Sequence, residues 1–458
     1  MIDRLVDAVD ERTGRSRLVR KALRYVFPDH WSFLLGEIAL YSFVVLVATG
    51  IYLALFFEPS LTRHAYQGSY TPLQGREVSE AYRSTLDLSF HVKAGLLMRQ
   101  THHWAALVFI AAILCHLLRI LLTGAFRRPR EPNHLIGGAM LSLAILEGFA
   151  GYSLPDDLLS GMGLAIAYSV ALSVPVVGER LGPLLWSGEY PGSGVIESRL
   201  YLLHVLIIPL ILAGLIAIHL MMIALLKHTQ FAGPGRTERN VVGTRLWPGY
   251  ALRSLGLMAV VAGVLLLLGG LVQINPVWQY GPYDVAAASN GVQPDWYMGW
   301  LIGALRLMPA VEPTVLGVTV PNPFFGGVLF PAVAFGVLFA WPFLDRMVSR
   351  DRSPHHLLER PRDAPVRTAA VLGFATWVIV PFLAGASDRI FVSFDVGYEL
   401  QVTVMRVAWV VAPAVVFLIA LRVCRRLRSS GERPLRGWDG TVLERSESGG
   451  FRPRAGRE

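Results

Sequence analysis

The chain has 458 residues, of which 53% are hydrophobic and 16% charged, and its mean hydropathy is +0.47. Soluble domains carry about 25% charge, and several apolar runs here exceed the ~18 residues of a spanning helix, so composition excludes an ordinary soluble enzyme and points to a polytopic membrane protein. The net charge of +9 does not require nucleic acid, because loop charge that orients a membrane protein gives the same excess.

From the N-terminus, the first thirty or so residues are polar and basic (Arg4, Arg12, Arg15, Arg17, Arg20, Lys21, Arg24) with no apolar core, so no secretory signal peptide is expected. Eight apolar spans follow, at 31–57, 96–122, 135–154, 200–226, 251–273, 323–344, 366–386 and 402–424. The expected fold is an all-α polytopic membrane protein of about eight transmembrane helices. It divides into a basic N-terminal segment (1–30), a four-helix bundle (31–230), a four-helix C-terminal part (231–428) and a disordered tail (429–458).

Arginine and lysine mark alternate connections. They cluster in the N-terminal segment, after the second span (Arg127, Arg128, Arg130), after the fourth (Lys227, Arg236, Arg239, Arg245), after the sixth (Arg346, Arg350, Arg352, Arg360, Arg362) and in the tail. This alternation predicts that both termini are cytoplasmic, although the first connection departs from it with Arg63, Arg76, Arg83 and Lys93. The connections 155–198 and 274–322 are long, fall on the opposite side, and are expected to be functional. The two cysteines, Cys115 and Cys424, lie in apolar helical segments and imply neither a disulfide nor a cysteine-based metal site. No internal repeat is visible.

The second span reads "RQTHHWAALVFIAAILCHLLR" and offers His102, His103 and His116; the fourth offers His204 and His219. At about 100° per residue, 14 steps return to within ~40° of the starting direction, so His102 and His116 share a helix face, whereas His103 lies ~140° from His116. On the fourth span the 15-residue step leaves a ~60° offset, which Pro209 or a bulge can absorb. Each pair covers about 21–22 Å of helix, and the two spans run in the same direction, so His102 is level with His204 and His116 with His219. A lone intramembrane histidine is more often a hydrogen-bonded polar residue or a proton relay. Two same-face pairs matched in depth suggest instead two stacked, non-covalent b-type haems with bis-histidine ligation. Gly36 and Gly50 on the first span, and Gly137 and Gly151 on the third, repeat the 14-residue spacing and would clear room for flat macrocycles, although such glycines also serve plain helix packing. Arg99, Arg119 and Arg199 lie three to five residues from the ligand candidates, suited to haem propionates or to snorkelling.

The motifs "RQTHHW…HLLR", "IGGAMLSLAILEGFAGYSLPDD", "RLYLLH…H" and "GVQPDWYMGW" together resemble cytochrome b of the quinol-oxidising bc-type respiratory complexes, over nearly the whole chain. "GYSLPDD" and "QPDWY" are most similar to the actinobacterial branch, which uses menaquinol. The resemblance implies that His102 and His204 hold a low-potential haem near the outer face and His116 and His219 a high-potential haem near the cytoplasm. Pro294, Asp295, Trp296 and Tyr297 match a Pro-Glu-Trp-Tyr signature of the quinol-oxidation site, with aspartate for glutamate; apart from the resemblance, an Asp-Trp pair also reads as a helix-start cap. Tyr152 corresponds to an aromatic group of the same pocket, and Lys227 and His228 are candidate contacts for a second quinone. The stretch "WSFLLGEIAL" has no cysteine, so the covalently attached haem of some relatives is not expected.

The implied activity is that of a quinol–cytochrome c reductase subunit in the bacterial cell membrane. Menaquinol is oxidised at the outer face; one electron goes to a Rieske iron–sulfur partner, since this chain has no cluster-binding motif. The other crosses the two haems to a quinone at the cytoplasmic face. A cytochrome c subunit, a homodimeric complex and a terminal oxidase are the further implied partners. Alternatives left open are a di-haem anchor cytochrome of another dehydrogenase, a transporter with histidine proton relays, and a divergent non-catalytic paralogue.

Overall fold

In the computed structural model, residues 23–191, 194–287, 293–429, 435–436, 441–445 and 451–453 are described. Most of the basic N-terminal segment and much of the tail therefore lie outside the described residues. Within the tail, expected to be disordered, Leu435–Arg436, Val442–Arg445 and Phe451–Pro453 pair as short antiparallel strands.

Among the described residues eight helices are long and apolar enough to cross a membrane: α1 (Trp31–Ala54), α2 (Gly95–Thr123), α3 (Glu131–Tyr152), α4 (Val195–Leu226), α5 (Leu246–Leu271), α6 (Phe325–Ser349), α7 (Pro365–Gly385) and α8 (Tyr398–Arg428). The protein is an all-α polytopic membrane protein. The long apolar runs satisfy their backbone groups internally as helices, which is what hydrocarbon demands. Gly124, at φ 67°, ends α2 in the left-handed conformation, its N–H returning to the Ile120 carbonyl.

Helix α1 packs on α2 and α5, and both α4 and α6 pack on α3. The core between them is built from Leu107, Phe109, Ile110, Leu141, Ala144 and Trp341. Helix α7 packs against α8 and against a short helix, Gly299–Leu307, from the long connection after α5. Helix α4 is not uniform: Leu203–Ile207 forms a π-turn just before Pro209. A π-turn takes one more residue than an α-turn. The 15-residue step from His204 to His219 thus rotates like the 14-residue step on α2.

The two long connections form one layer at one end of the bundle. Leu158–Leu172 and Gly178–Trp186 are helices of the first, and Leu158 N–H donates to Gly281 O (3.0 Å) while Tyr283 N–H donates to Asp156 O (3.0 Å) of the pair. The connection between α1 and α2 joins this layer through Tyr82 OH on Val277 O (3.1 Å) and Arg63 on Tyr283 O (3.0 Å). At the other end, Gln230–Phe231 pairs with Leu357–Leu358, and Arg130 donates to the carbonyls of His355, Leu226 and Lys227. Arg367 there bridges Asp345 (2.8 Å) and Glu359 (2.6 Å).

Candidate functional site

Four histidines face one another in two pairs across the bundle. The His102 and His204 rings have centroids 6.0 Å apart, and those of His116 and His219 are 6.5 Å apart. Each pair lines a cavity: about 450 Å³ at the His102 end and about 570 Å³ at the His116 end. Both fall in the ~300–1,000 Å³ range of cofactor sites.

Tautomers are fixed in the first pair. The Thr49 hydroxyl donates to Val45 O (2.7 Å), so its oxygen accepts from His102 Nδ1–H (2.9 Å). His204 Nδ1 faces only acceptors, the Glu147 carbonyl at 3.1 Å and its carboxylate at 3.0 Å, and therefore donates. In both rings Nε2 keeps its lone pair, the arrangement a metal-bound imidazole needs.

Three of the four expected glycines abut these rings. A Cβ at Gly50 would lie 3.2 Å from His102 Cε1, at Gly36 3.3 Å from His116 Cε1, and at Gly151 2.4 Å from His204 Cε1. Gly137 meets nothing within 4 Å and opens onto the second cavity. Arg99 enters the first cavity, and Arg119 and Arg130 the second, where Arg130 is spent on backbone carbonyls. Arg99 donates to Asn275 O (3.0 Å) and lies 5.8 Å from the Trp278 ring, yet its Nε and Nη2 are buried without a protein partner. Arg119 stacks 4.3 Å over Phe33, with Nε and Nη2 likewise unpartnered. Burying unpaired charged donors costs more than the ~1–3 kcal/mol of a neutral one, so both sites call for an anionic group. Arg199 differs: it is spent on the carbonyls of Leu184 and Leu185 (both 2.7 Å) and lines neither cavity. Five residues before His204, it points ~140° away from that ligand's face.

Asp295, Tyr297 and Tyr152 line the first cavity. Asp295 precedes the turn Trp296–Met298, but its side chain makes no capping bond to that turn. Instead Oδ1 accepts from His103 Nε2 (2.7 Å) and Oδ2 from Tyr297 OH (3.0 Å). Burial and the neighbouring Asp295 push the Tyr297 phenol well above its ordinary range, so it stays a donor. Lys227 and His228 border the second cavity. Burial, reinforced by Arg130 and Arg119, pushes His228 down to about 4, leaving a neutral imidazole at pH 7. Glu37 joins them, accepting from Tyr250 OH (2.5 Å) and Ser254 Oγ (2.6 Å).

Sequence reasoning missed Thr49, Glu147, Glu37 and the Asp295 contact of His103. Glu147 and Glu37 carried a signal, since an ionisable residue inside a span is functional by default; Thr49 carried none.

Residues 107–282 match the family profile described as cytochrome b(N-terminal)/b6/petB. The chain is 47% identical over 453 residues to the cytochrome bc1 complex cytochrome b subunit of Mycobacterium leprae (strain TN), covering 98% of this chain and 82% of that protein. This chain belongs to that cytochrome b family. The Streptomyces coelicolor cytochrome bc1 complex cytochrome b subunit is 43% identical over 450 residues, covering 98% of this chain and 82% of its own. A solved chain of a hyperthermophilic respiratory complex III, at 20% identity, shares the fold with TM-score 0.68, covering 93% of this chain and 100% of that one. As a cytochrome b subunit of this family, the chain is a component of a quinol–cytochrome c reductase.

Proposed function

We propose that the chain binds two b-type haems and oxidises quinol, menaquinol by resemblance, at the end marked by His102, with quinone reduction at the end marked by His116. The observation that supports this most is the pair of facing imidazoles at each of two depths. Metal–imidazole bonds of about 2 Å put the two ring centres about 6 Å apart, and the separations are 6.0 and 6.5 Å. Among the described residues no three His, Cys, Asp or Glu side chains gather as a metal site. Two imidazoles alone complete a six-coordinate iron only when a macrocycle supplies the other four donors.

His102 and His204 would hold one haem and His116 and His219 the other, with Arg99 and Arg119 as propionate partners and Gly36, Gly50, Gly137 and Gly151 as clearance. When bound, the haems supply one-electron stations about 21 Å apart along the bundle. The remaining chemistry belongs to the chain. Tyr152 and Tyr297 form the wall on which quinol is oriented, and the Asp295 carboxylate takes a hydroxyl proton directly or through one water. At the other end His228, as a neutral donor and acceptor, and Lys227 would bind the second quinone.

The arginine-rich connections lie at the His116 end, which supports a cytoplasmic assignment for that end and for both termini. The partners inferred with this reading are a Rieske iron–sulfur subunit, a cytochrome c subunit, a second copy of the complex and a terminal oxidase, in a bacterial cell membrane.

The test is Asp295→Asn in the purified complex. General-base catalysis contributes roughly 10²–10⁴-fold; the variant should oxidise a naphthoquinol at least about ten-fold slower with both haem spectra intact. Turnover at the native rate across pH 6–8 would make Asp295 structural.

A further inference from the structure

His103 was singled out by sequence only as the histidine that does not share the ligand face. In the structure it borders the first cavity, and its Nε2 lies 2.7 Å from Asp295 Oδ1. The two side chains are only 13% and 14% exposed. The second oxygen, Oδ2, takes the Tyr297 hydroxyl at 3.0 Å. We propose that His103 is a positioning residue for quinol oxidation, holding the short acid of the PDWY segment in place from α2. This rests on the reading of Asp295 as proton acceptor.

The geometry supports the inference in three steps. Aspartate is one methylene shorter than the glutamate of the resembling signature, so its carboxylate sits about 1.5 Å nearer its own backbone and needs a donor that reaches out to it. His103 does so, and because it follows His102 it is rotated ~100° around α2. A single helical turn thus presents one imidazole to His204 and the next to Asp295. Two donors, one on each oxygen, also fix the carboxylate plane. A carboxylate offers about four lone-pair sites; after His103 and Tyr297 each oxygen keeps a further site for a quinol hydroxyl or a bridging water. The carboxylate is held ready, and a loss of its alignment is expected to be felt in the rate, since misplacement by about 1 Å can cost ~10²-fold.

The experiment is a double-mutant cycle on the complete complex, with a short-chain naphthoquinol as substrate and cytochrome c reduction as readout. His103→Leu should lower kcat about ten-fold or more with little change in KM and both haem bands kept. His103→Gln, whose amide nitrogen reaches the position of Nε2, should restore most of the rate. His103→Leu added to Asp295→Asn should cost nothing beyond Asp295→Asn alone, because a residue acting through Asp295 has nothing left to position. Should the Leu variant fail to assemble, His103→Asn, polar but too short to reach Asp295, takes its place with the same expectation. Multiplicative losses in the double variant, or an unchanged kcat in the single one while Asp295→Asn is slow, overturn the proposal and leave the reading of Asp295 standing. An unimpaired Asp295→Asn overturns both.

Discussion

Gly151→Ala adds one methyl group where the structure has no room for it. A Cβ there would lie 2.4 Å from Cε1 and 2.9 Å from each nitrogen of the His204 ring. Apolar contacts settle at about 3.5–4.0 Å, so the ring must withdraw by about 1 Å. It cannot swing freely, because Nδ1 is tied to the carbonyl and carboxylate of Glu147 at 3.1 and 3.0 Å. Metal ligands tolerate errors of about 0.2 Å. A forced shift several times larger should weaken binding between His102 and His204 at least as much as losing a partner of a ligand does, which is 10–100-fold, or about 1.4–2.7 kcal/mol. Gly50→Ala, whose Cβ would meet His102 at 3.2 Å, should do less, and Gly137→Ala, with nothing within 4 Å, should be silent. Haem per chain, counted by the pyridine haemochromogen spectrum of detergent-purified protein, reads the series. A Gly151→Ala protein with a full haem complement and a native spectrum would refute the clearance argument.

His116→Ala or His219→Ala should each remove one haem while the other remains, and His103→Ala should keep both, as seen in reduced-minus-oxidised spectra. Thr49→Val preserves shape but removes the acceptor of His102 Nδ1–H; a redox titration should find one midpoint moved and the other unchanged. Arg119→Gln should lower occupancy at the His116–His219 site, whereas Arg199→Gln, already spent on two carbonyls, should leave haem content alone. His228, depressed to about 4 against ~6.5 for a free imidazole, binds a proton in the unfolded chain before the folded one. Stability should therefore fall as pH drops from ~6.5 towards 4, and His228→Phe should reduce that slope by up to one proton.

Length and hydropathy made the eight spans legible, because a helix is the only way a single segment crosses hydrocarbon. Their ends moved by a few residues, as with α4, which begins at Val195 rather than at residue 200. Helical periodicity likewise exposed the ligand candidates, since a 14-residue repeat on α2 needs no knowledge of the partner helix. What periodicity could not reach were contacts between distant segments: Thr49 meets His102 across 53 residues, Glu147 meets His204 across 57, and His103 meets Asp295 across 192. Periodicity offers Pro209 or a bulge to absorb the extra residue between the two histidines, and does not locate the π-turn at Leu203–Ile207. Arg199 is near His204 in sequence, but the five-residue rotation carries its side chain to another face, onto the carbonyls of Leu184 and Leu185.

The proposed arrangement is two b-type haems at two depths, each between one histidine of α2 and one of α4. It is tested most directly by haem stoichiometry and potentiometric titration of the purified wild-type complex. The expected result is two acid-extractable b haems per chain, titrating as two separate one-electron components. A single component, or a haem that stays covalently attached to the chain, would contradict it.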